Sequence, residues 1–586
     1  MRAAYIAFLV VLLVALWGNG SGSFSFPAES PAENRPRVWL CRPVALVADG
    51  KRVLVGNRRS GTISVIEPTE SRVVCEYPVA ARIADLIAVP DSDAVFVLDD
   101  GQNRLLKVSL RDDDVSIDSA IEVPSSGVKL AISKSQRRVF VNSKWSRGLT
   151  AIDFDDEFER ATSRQRIEMP FASHEMLLLD QERKLLIADA FGSRIGIVDA
   201  VNLKLLGIRT LAGHNIRGLA VSFDGKELFV SHQKFNPPTR TDYEEVHWGR
   251  LVANVVQIFD TQEFIDNDIA ESDAGAVTHG WLNQFGGIGG ASADPGAVVT
   301  DRRGLMAVCL SGSGEVVTRS RGSSRRIPVG RRPEALVIDD GRLYVANRFD
   351  DTVSVVEIDS GKVLQTISLG ETPQLSAAER GELLFFDARL SHDSWMSCHS
   401  CHTDGHSSGL LVDTLGDGDY GAPKRVPSLL GTRNTGPWAW DGSMTSLAEQ
   451  IRNSVETTMH GDPLTDRQTK DLVCYLQSLP APPPAHRQAS ELVRRGQMAF
   501  KVRGCVQCHA QPTLTTAETF DVGLADERGR REFNPPSLHG VSQRGRLFHD
   551  GRAASLEDVL LRFRHQLDQP LSEDESEALL AFLRSL

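Results

Sequence analysis

A pattern of an apolar strand, a polar tight turn and a second strand recurs between residues 38 and 370, and this repeat constrains the fold most. The copies read, for example, "RVLV" at 52–55 with "TISVI" at 62–66, and "RLYV" at 342–345 with "TVSV" at 352–355. Seven copies occur, most of them roughly forty residues apart, which is the period of a four-stranded propeller blade. Since a closed ring of blades hides the strand edges that an open sheet exposes, residues 38–370 are predicted to form an all-β, seven-bladed propeller.

Two of the copies carry long insertions, at residues 234–251 and 262–295, and long loops on a rigid scaffold often carry recognition sites. One interpretation of the polar residues near them is a cluster at the propeller mouth that binds a partner or a small ligand. The other is a set of scattered side chains with satisfied hydrogen bonds, which is favoured because no metal-type spacing links the histidines. The residues are His174, His214, Asn215, Arg217, His232 and His247.

The last third of the chain contains two Cys-x-x-Cys-His boxes, at 398–402 and 505–509. In such a box the two thiols add across the vinyl groups of a haem, and the histidine binds the iron as the proximal ligand. A zinc site would need four ligands converging from the two boxes, and no spacing indicates this. Two covalently bound haem c groups are therefore predicted, held by Cys398, Cys401 and His402 and by Cys505, Cys508 and His509.

The sequence after residue 370 is helical in pattern and duplicates itself. "PSLLG" at 427–431 answers "PSLHG" at 536–540, and "WDGSMTSL" at 440–447 answers "HDGRAASL" at 549–556. Each copy ends in an amphipathic segment with an N-cap candidate, Thr465 or Ser572. Because "PAPPPA" at 480–485 is typical of a stiff linker, two all-α cytochrome c domains are predicted, at 371–480 and 486–586.

The duplication allows the two iron sites to be compared position by position. Counting without gaps from Asp441 and Asp550 sets Glu456 of the first copy opposite His565 of the second. If this position faces the iron in both copies, His565 is the sixth ligand of the second haem. The first haem then has a carboxylate, which binds ferric iron poorly, and an open site. A slip of one helical turn would instead leave both side chains in solvent. The other candidate ligands of the second haem are His539, His549 and Met498, and the alternative is that its sixth ligand is absent.

The amino terminus has a short positive start, an apolar run and small polar residues, as in a secretory signal. Residues 1–27 are therefore predicted to comprise a signal peptide and the start of the mature chain, and the protein to be periplasmic or otherwise exported. A retained N-terminal anchor is the alternative, but the run is short for a membrane span and no integral span is expected.

A net charge of -12 without a basic tract argues against nucleic acid as a partner. Among the cysteines outside the boxes, only Cys41 and Cys75 are expected to pair.

Three segments resemble the bacterial diheme cytochrome c peroxidases and the related diheme enzymes that mature methylamine dehydrogenase. They are "GELLFFDARLSHDSWMSCHSCH" at 381–402, "RVPSLLGTRNTGPWAWDG" at 425–442 and "FHDGRAASLEDV" at 548–559. The resemblance implies a peroxidatic first haem, a second haem that receives electrons, and Trp440 between them. It also implies a distal Gln and Glu, which match Gln450 and Glu456. In the same way, "VANRFDDTVSVVEIDSGKV" at 345–363 resembles the YVTN-type seven-bladed propellers.

The chain departs from this family pattern at several positions. The displaceable distal histidine of the peroxidases falls on Asp417, which implies a first haem that is open without reductive activation. The family's methionine ligand falls near Phe563, two residues before His565, and a bis-histidine site has a lower potential than a Met/His site. The positions that supply the interhaem calcium fall on Arg425 and Arg544, which argues against calcium here.

These features predict an exported diheme oxidoreductase that reduces hydrogen peroxide, or oxidises a substrate, with electrons from a small redox donor protein. Electrons would pass from the second haem by Trp440 to the first, where Gln450 orients the peroxide and Glu456 shuttles its proton. The propeller would dock the donor or supply substrate. One alternative is a non-catalytic electron-transfer cytochrome with a propeller as recognition module. Another is suggested by hydrazine synthase, which also joins a propeller to peroxidase-like diheme parts.

Overall fold

The computed structural model describes residues 24–26, 39–111, 114–236, 240–266, 281–320, 323–485 and 490–586. Most of the predicted signal segment therefore lies outside the described residues. Among the described residues, no helix is long and apolar enough to cross a membrane.

The chain from residue 43 to residue 368 forms seven antiparallel sheets of four consecutive strands, and strand β1 (Phe24–Phe26) adds a fifth strand to the second sheet. Each predicted strand pair is the second and third strand of one sheet, so the seven-bladed propeller is confirmed. The first four blades are β2 (Pro43–Ala48), β3 (Val53–Asn57), β4 (Thr62–Glu67), β5 (Arg72–Pro78); β6 (Ile83–Ala88), β7 (Ala94–Asp99), β8 (Arg104–Arg111), β9 (Asp114–Glu122); β10 (Gly127–Ser133), β11 (Arg138–Ser143), β12 (Gly148–Phe154), β13 (Ala161–Glu168); and β14 (Ser173–Leu179), β15 (Lys184–Asp189), β16 (Arg194–Asp199), β17 (Lys204–Thr210).

The fifth blade carries the longest connections, with the short helix α1 (Tyr243–His247) between its second and third strands and α2 (Thr261–Ile265) after its third. The last three blades are β18 (His214–Val221), β19 (Glu227–Phe235), β20 (Val252–Asp260), β21 (Trp281–Gln284); β22 (Pro295–Thr300), β23 (Met306–Leu310), β24 (Glu315–Ser320), β25 (Ser323–Pro328); and β26 (Pro333–Asp339), β27 (Arg342–Asn347), β28 (Thr352–Glu357), β29 (Lys362–Ser368).

Apolar clusters between neighbouring blades hold the ring together. A cluster that includes Ile63, Leu86 and Val97 joins the first two blades. The cluster that includes Val53 and Tyr344 joins the first blade to the seventh and closes the circle. Since each such cluster removes apolar area from water at about 25 cal/mol per Å², the apolar strand runs seen in the sequence are what drive the blades to pack face to face.

The predicted disulfide between Cys41 and Cys75 is wrong, because both thiols are free. Cys41 lies just before β2, with its Sγ near the carbonyl oxygen of Leu369 in the last blade, whereas Cys75 lies on β5. The strands β2 and β5 are the two edges of one sheet, separated by two strands. With neighbouring strands about 4.8 Å apart, the two Cα atoms are much further apart than the roughly 7 Å that a disulfide tolerates.

After the propeller the chain is helical. The helices are α3 (Ala377–Phe385), α4 (Cys398–Cys401), α5 (Leu447–Asn453), α6 (Asp466–Ser478), α7 (Glu491–Val502) and α8 (Glu573–Arg584), with two small hairpins, β30 (Leu411–Val412) with β31 (Lys424–Arg425) and β32 (Phe520–Asp521) with β33 (Glu532–Phe533). Thr465 and Ser572 cap α6 and α8 in complete capping boxes with Gln468 and Glu575, as predicted.

The same helix crossing occurs twice, α3 on α6 and α7 on α8. At its centre lie Gly381 and Gly496, where a Cβ atom would overlap the carbonyl oxygens of Asp471 and Ala578 respectively. Only glycine allows the two backbones to approach this closely. In both copies the C-terminal helix end is also tied to a glycine of the repeated Pro-Ser-Leu motif, since the Gly431 and Gly540 N–H groups donate to the carbonyls that end the helices.

Candidate functional site

The first Cys-x-x-Cys-His box occupies α4 and the residue that follows it. The Cys398 and Cys401 thiols are half-buried and free, and burial raises the pKa of each to about 12. His402 Nδ1 lies 2.9 Å from the carbonyl oxygen of Pro427 and donates to it. This bond fixes the imidazole tautomer and leaves Nε2 unprotonated, which is the form that binds iron.

The second box repeats this arrangement in a tighter turn, Cys505–Gln507, which follows Gly504 with a φ of 78°. His509 Nδ1 lies 3.1 Å from the carbonyl oxygen of Leu514. Burial lowers the pKa of His509 and of His402 to about 4, so both imidazoles are neutral at pH 7. Two free thiols and a neutral histidine with an available Nε2 in each domain are the donor set that covalent haem requires.

Among the described residues of the second domain, His565 lies close enough to His509 for the two rings to interact electrostatically. Its charged form disfavours the charged form of His509, which contributes to the lowered pKa of His509, and its Nδ1 is buried without a hydrogen-bond partner. Of the other candidates, His539 Nε2 contacts the carbonyl oxygen of Pro512 at 2.9 Å. His549 also has a buried ring nitrogen without a hydrogen-bond partner, Nε2, but its ring stacks on Phe533 at 4.1 Å between centroids and that Nε2 lies 3.8 Å from Asp550 Oδ2. Met498 is 63% exposed.

The gapless register between the two domains fails in the helix before this site. In the first domain α5 continues into a π-helical turn at Ser454–Thr458. In the second domain the π-helical turn comes earlier, at Asp558–Arg562, after the same Ser N-cap position. Glu456 therefore lies inside its π-turn, exposed to solvent, whereas His565 lies beyond the end of its own.

The structural counterpart of His565 is Gly461. The Gly461 N–H donates to the carbonyl of Val455 at 2.9 Å, and the His565 N–H donates to the carbonyl of Val559 at 3.0 Å. The preceding residue has a left-handed backbone in both domains, with φ values of 49° and 47°. A Cβ atom at Gly461 would overlap the carbonyl oxygen of Leu390, so this position of the first domain accommodates no side chain.

Gln450 lies on α5, one turn before the π-turn. Its Nε2 donates to Ser454 Oγ at 3.1 Å, while its Oε1 is buried without a partner. A buried acceptor without a donor costs roughly 1–3 kcal/mol. This orphaned oxygen is therefore a candidate contact for a small ligand with an O–H or N–H group. Glu456, by contrast, has no such buried group.

Trp440 lies where the two helical domains meet. Its Nε1 donates to the carbonyl of Arg425 at 2.9 Å, and its own carbonyl accepts from the Asn534 N–H of the second domain at 2.9 Å. The Arg425 guanidinium lies 5.3 Å from the Trp440 ring, a cation–π contact, and the Arg425 N–H donates to the carbonyl of His549. The Trp440 backbone and ring thus contact both halves of the duplication.

The buried Arg425 and the half-buried Arg544 stand at the two positions that supply the interhaem calcium in the family that the sequence resembles. Burial and the neighbouring Arg544 lower the pKa of Arg425 to about 9, and burial lowers the pKa of Arg544 to about 10. Two positive side chains held together make the site repulsive to a further cation. The expectation that calcium is not bound here stays a prediction.

Side chains of the propeller form hydrogen bonds with the first Cys-x-x-Cys-His box. Asp294, 3% exposed at the start of the sixth blade, accepts from Ser397 Oγ at 2.6 Å and from Ser400 Oγ at 2.7 Å. His214 Nε2 lies 2.7 Å from the Ser400 carbonyl oxygen, and Gln233 Nε2 donates to Ser400 Oγ at 3.1 Å. The haem-binding turn is therefore positioned by side chains from two blades.

A polar cavity of about 550 Å³ lies between the propeller centre and the first helical domain. His174 and Arg217 line it on the propeller side, and His399 and Asp404, which belong to or follow the first box, line it on the other. Asp404 pairs with Arg217 at 3.1 Å and with Lys144 at 2.9 Å, and these cations hold its pKa well below the ordinary value despite burial. The favoured interpretation of scattered histidines is thus wrong for His174, His214 and Arg217, which gather against the haem box.

Sequence reasoning missed Asp294, Ser397 and Ser400 as functional positions. The two serines flank or occupy the variable positions of the first box, but nothing local in the sequence indicates that an aspartate about a hundred residues earlier meets them. His392 and Asp393 were missed for the same reason, since they meet His247 of the propeller only in three dimensions.

A family model described as di-haem cytochrome c peroxidase matches residues 376–501. The cytochrome c551 peroxidase of Nitrosomonas europaea is 25% identical over 278 residues, which cover 38% of this chain and 83% of that protein. The methylamine utilization protein MauG of Methylophilus methylotrophus is 27% identical over 285 residues, covering 36% of this chain and 82% of that protein.

Hydrazine synthase subunit gamma of Kuenenia stuttgartiensis is 26% identical over 272 residues, which cover 35% of this chain and 76% of that protein. These similarities agree with the duplicated helical fold and with the two boxes described above. The chain therefore joins a seven-bladed β-propeller to a helical region in which residues 376–501 match the model of the di-haem cytochrome c peroxidase family, a family whose cofactor is haem c with iron.

Proposed function

We propose that the protein is a periplasmic diheme oxidoreductase that reduces hydrogen peroxide with electrons relayed between two covalently bound haems. The observation that carries this proposal is the difference between equivalent positions of the two helical domains. The second domain has His565, with an unpartnered buried Nδ1, where the first has Gly461, which has no side chain. This asymmetry favours one closed haem for electron entry and one open haem for a small oxidant.

Cys398, Cys401 and His402 would hold the first haem, and Cys505, Cys508 and His509 the second, with His565 as its sixth ligand. When bound, haem supplies one-electron redox chemistry and, where an axial position is free, a site for a small ligand. The chain's own contribution is the orientation of both proximal histidines by backbone carbonyls, which raises their basicity as ligands. The domains holding the two haems would be residues 371–480 and 486–586.

Trp440 is proposed to lie on the route between the haems. Its contacts with Arg425 and Asn534 support this role, because they span the boundary between the two domains. An aromatic ring fixed by a hydrogen bond at its Nε1 keeps one orientation, which is what a relay between two fixed groups needs.

Gln450 is proposed to orient the peroxide through its unpartnered Oε1, which can accept a hydrogen bond from a peroxide O–H. Glu456 is proposed to carry the proton, as an acid–base group that exchanges with solvent. Its exposed position makes exchange easy, and it is the acidic side chain of the π-turn that follows Gln450. The relatives named above include a cytochrome c551 peroxidase, which supports peroxide as the oxidant and a small redox protein as the electron donor.

The experiment that tests this function is peroxide-dependent oxidation of a reduced small cytochrome by the purified diheme protein. We expect turnover in the native protein and a loss of about a hundredfold or more in Glu456→Gln, the typical contribution of an acid–base group. Gln450→Leu should also lower turnover, because it removes the oxygen proposed to orient the peroxide. Glu449→Gln, one residue before Gln450 and exposed, is the matched control. A native protein with two six-coordinate haems and no turnover would support the alternative, an electron-transfer cytochrome with a recognition propeller.

A further inference from the structure

Three potential metal ligands from the propeller and the first helical domain meet away from the haem boxes. His247 Nδ1, at the end of α1, lies 2.9 Å from His392 Nε2, and His392 Nε2 lies 3.6 Å from Asp393 Oδ2. All three donor atoms lie within 4.8 Å of one another, and all three residues are half-buried. The His247 and His392 ring nitrogens thus face each other at hydrogen-bond distance.

The two ligands from the helical domain lie on a segment that the second domain lacks. Twelve residues separate α3 from the first box, whereas only Arg503 and Gly504 separate α7 from the second. Within this segment Asp393 and Ser394 have φ values of 52° and 63°. Two successive non-glycine residues in the left-handed region strain the backbone. This backbone sets the consecutive His392 and Asp393 side chains beside the same point.

Neighbouring groups hold the three side chains in place, as the residues around the ligands of a metal site do. The Gly289 N–H donates to Asp393 Oδ2 at 2.8 Å, and the His392 N–H donates to the carbonyl of Met459 at 2.9 Å. The Tyr243 ring stacks on His247 with 5.5 Å between centroids and an interplanar angle of 13°. The three ligands are therefore held by the propeller on one side and by the turn before Gly461 on the other.

The chemistry of the donor set selects the kind of metal. Two imidazole nitrogens and one carboxylate oxygen suit zinc, copper or nickel, whereas calcium and magnesium prefer oxygen ligands alone. Tetrahedral zinc with Zn–N distances of about 2.0–2.1 Å places two ligand atoms roughly 3.3 Å apart. The observed separations of 2.9 and 3.6 Å bracket that value. Partial exposure leaves a fourth position for water.

We propose that His247, His392 and Asp393 form a binding site for a divalent transition metal, zinc above all, that ties the propeller insertion to the first haem domain. The site is independent of the haem boxes. Its occupancy would fix the segment that packs against Gly461, and therefore the geometry beside the open haem.

The test is equilibrium dialysis of the full diheme protein against zinc chloride after chelator treatment, with metal content measured by inductively coupled plasma mass spectrometry. We expect one tightly bound zinc per chain, and a dissociation constant at least about tenfold higher in His247→Gln and in His392→Gln, a loss of roughly 1.4 kcal/mol of binding free energy. X-ray absorption at the zinc edge should show two imidazole ligands. Calcium chloride should not displace the zinc.

His460→Gln is the matched control, because its ring lies 5.7 Å from Tyr243 in the same aromatic group while its Nε2 contacts the Thr241 carbonyl oxygen. It should bind zinc like the native protein, and the spectrum of the second haem should show that each variant is folded. The proposal is overturned if the native protein retains no zinc, or if His247→Gln and His392→Gln bind zinc unchanged. It is also overturned if His392→Gln alters the first haem's spin state with zinc affinity unchanged, since His392 would then serve the haem.

Discussion

Replacing Asp294 with alanine should loosen the first haem box and leave the second unaffected. Asp294 is the buried acceptor for the Ser397 and Ser400 hydroxyls, at 2.6 and 2.7 Å, and burial raises its pKa. The second box has no such partner, because its variable positions are Val506 and Gln507, and it therefore serves as an internal control.

The expected magnitude follows from the two hydrogen bonds. Two buried hydroxyl donors left without an acceptor cost roughly 1–3 kcal/mol each. Relief of the carboxylate's desolvation offsets part of this loss. We therefore expect Asp294→Ala to lower the local stability of the first box by about 2–4 kcal/mol, a factor of roughly 30 to 1000 in its opening equilibrium. Asp294→Asn keeps one acceptor oxygen and should lose about half as much.

Hydrogen exchange measured by mass spectrometry on the diheme protein reports this opening directly. Amides of residues 394–403 should exchange faster in Asp294→Ala by up to the factor above, with residues 502–512 unchanged. In a double-mutant cycle, Ser400→Ala should couple to Asp294→Ala, since each substitution removes the same hydrogen bond. Unchanged protection at residues 394–403, or an equal loss at residues 502–512, would refute the reasoning.

Three further outcomes are expected. Cys401→Ala and Cys508→Ala should each weaken or lose one haem, and a pyridine haemochrome assay that gives a single haem in the native protein would contradict the two-site proposal. His565→Ala should convert the second haem to a high-spin, ligand-accessible form, whereas His549→Ala should not; the reverse result would assign the ligand to His549. Trp440→Phe should slow electron arrival at the first haem in stopped-flow reduction while both haem spectra stay unchanged, and an unaltered rate would remove Trp440 from the route.

The propeller was predictable because its signal is local and repeated. Each blade contains two short apolar strand runs, and this pattern returns seven times. The helix N-caps at Thr465 and Ser572 were predictable for the same reason, since a capping box spans only four residues. The helix register between the two domains was not predictable. The one-turn π-helices at 454–458 and 558–562 begin at different distances from the Asp-Gly motif, and sequence spacing carries no mark of them.

The packing of the first Cys-x-x-Cys-His box on the propeller could not be predicted from the sequence, because it depends on contacts between residues far apart in the chain. Asp294 and Ser400 are 106 residues apart, and no periodicity connects them. The shifted register also changes which residues of the two domains are equivalent, compared with the gapless count from Asp441 and Asp550. It sets Gly461, and not Glu456, opposite His565. The two domains therefore differ in that the second has a histidine side chain at this position, whereas the first has no side chain.

That asymmetry is tested most directly by electron paramagnetic resonance of the fully oxidised protein at low temperature. The account predicts one high-spin ferric signal from the first haem and one low-spin signal of bis-histidine type from the second, in equal amounts. Addition of a small exogenous ligand such as cyanide should shift only the high-spin signal. Two low-spin signals in the native protein, neither of which responds to the ligand, would contradict an open first haem and with it the proposed peroxidase activity.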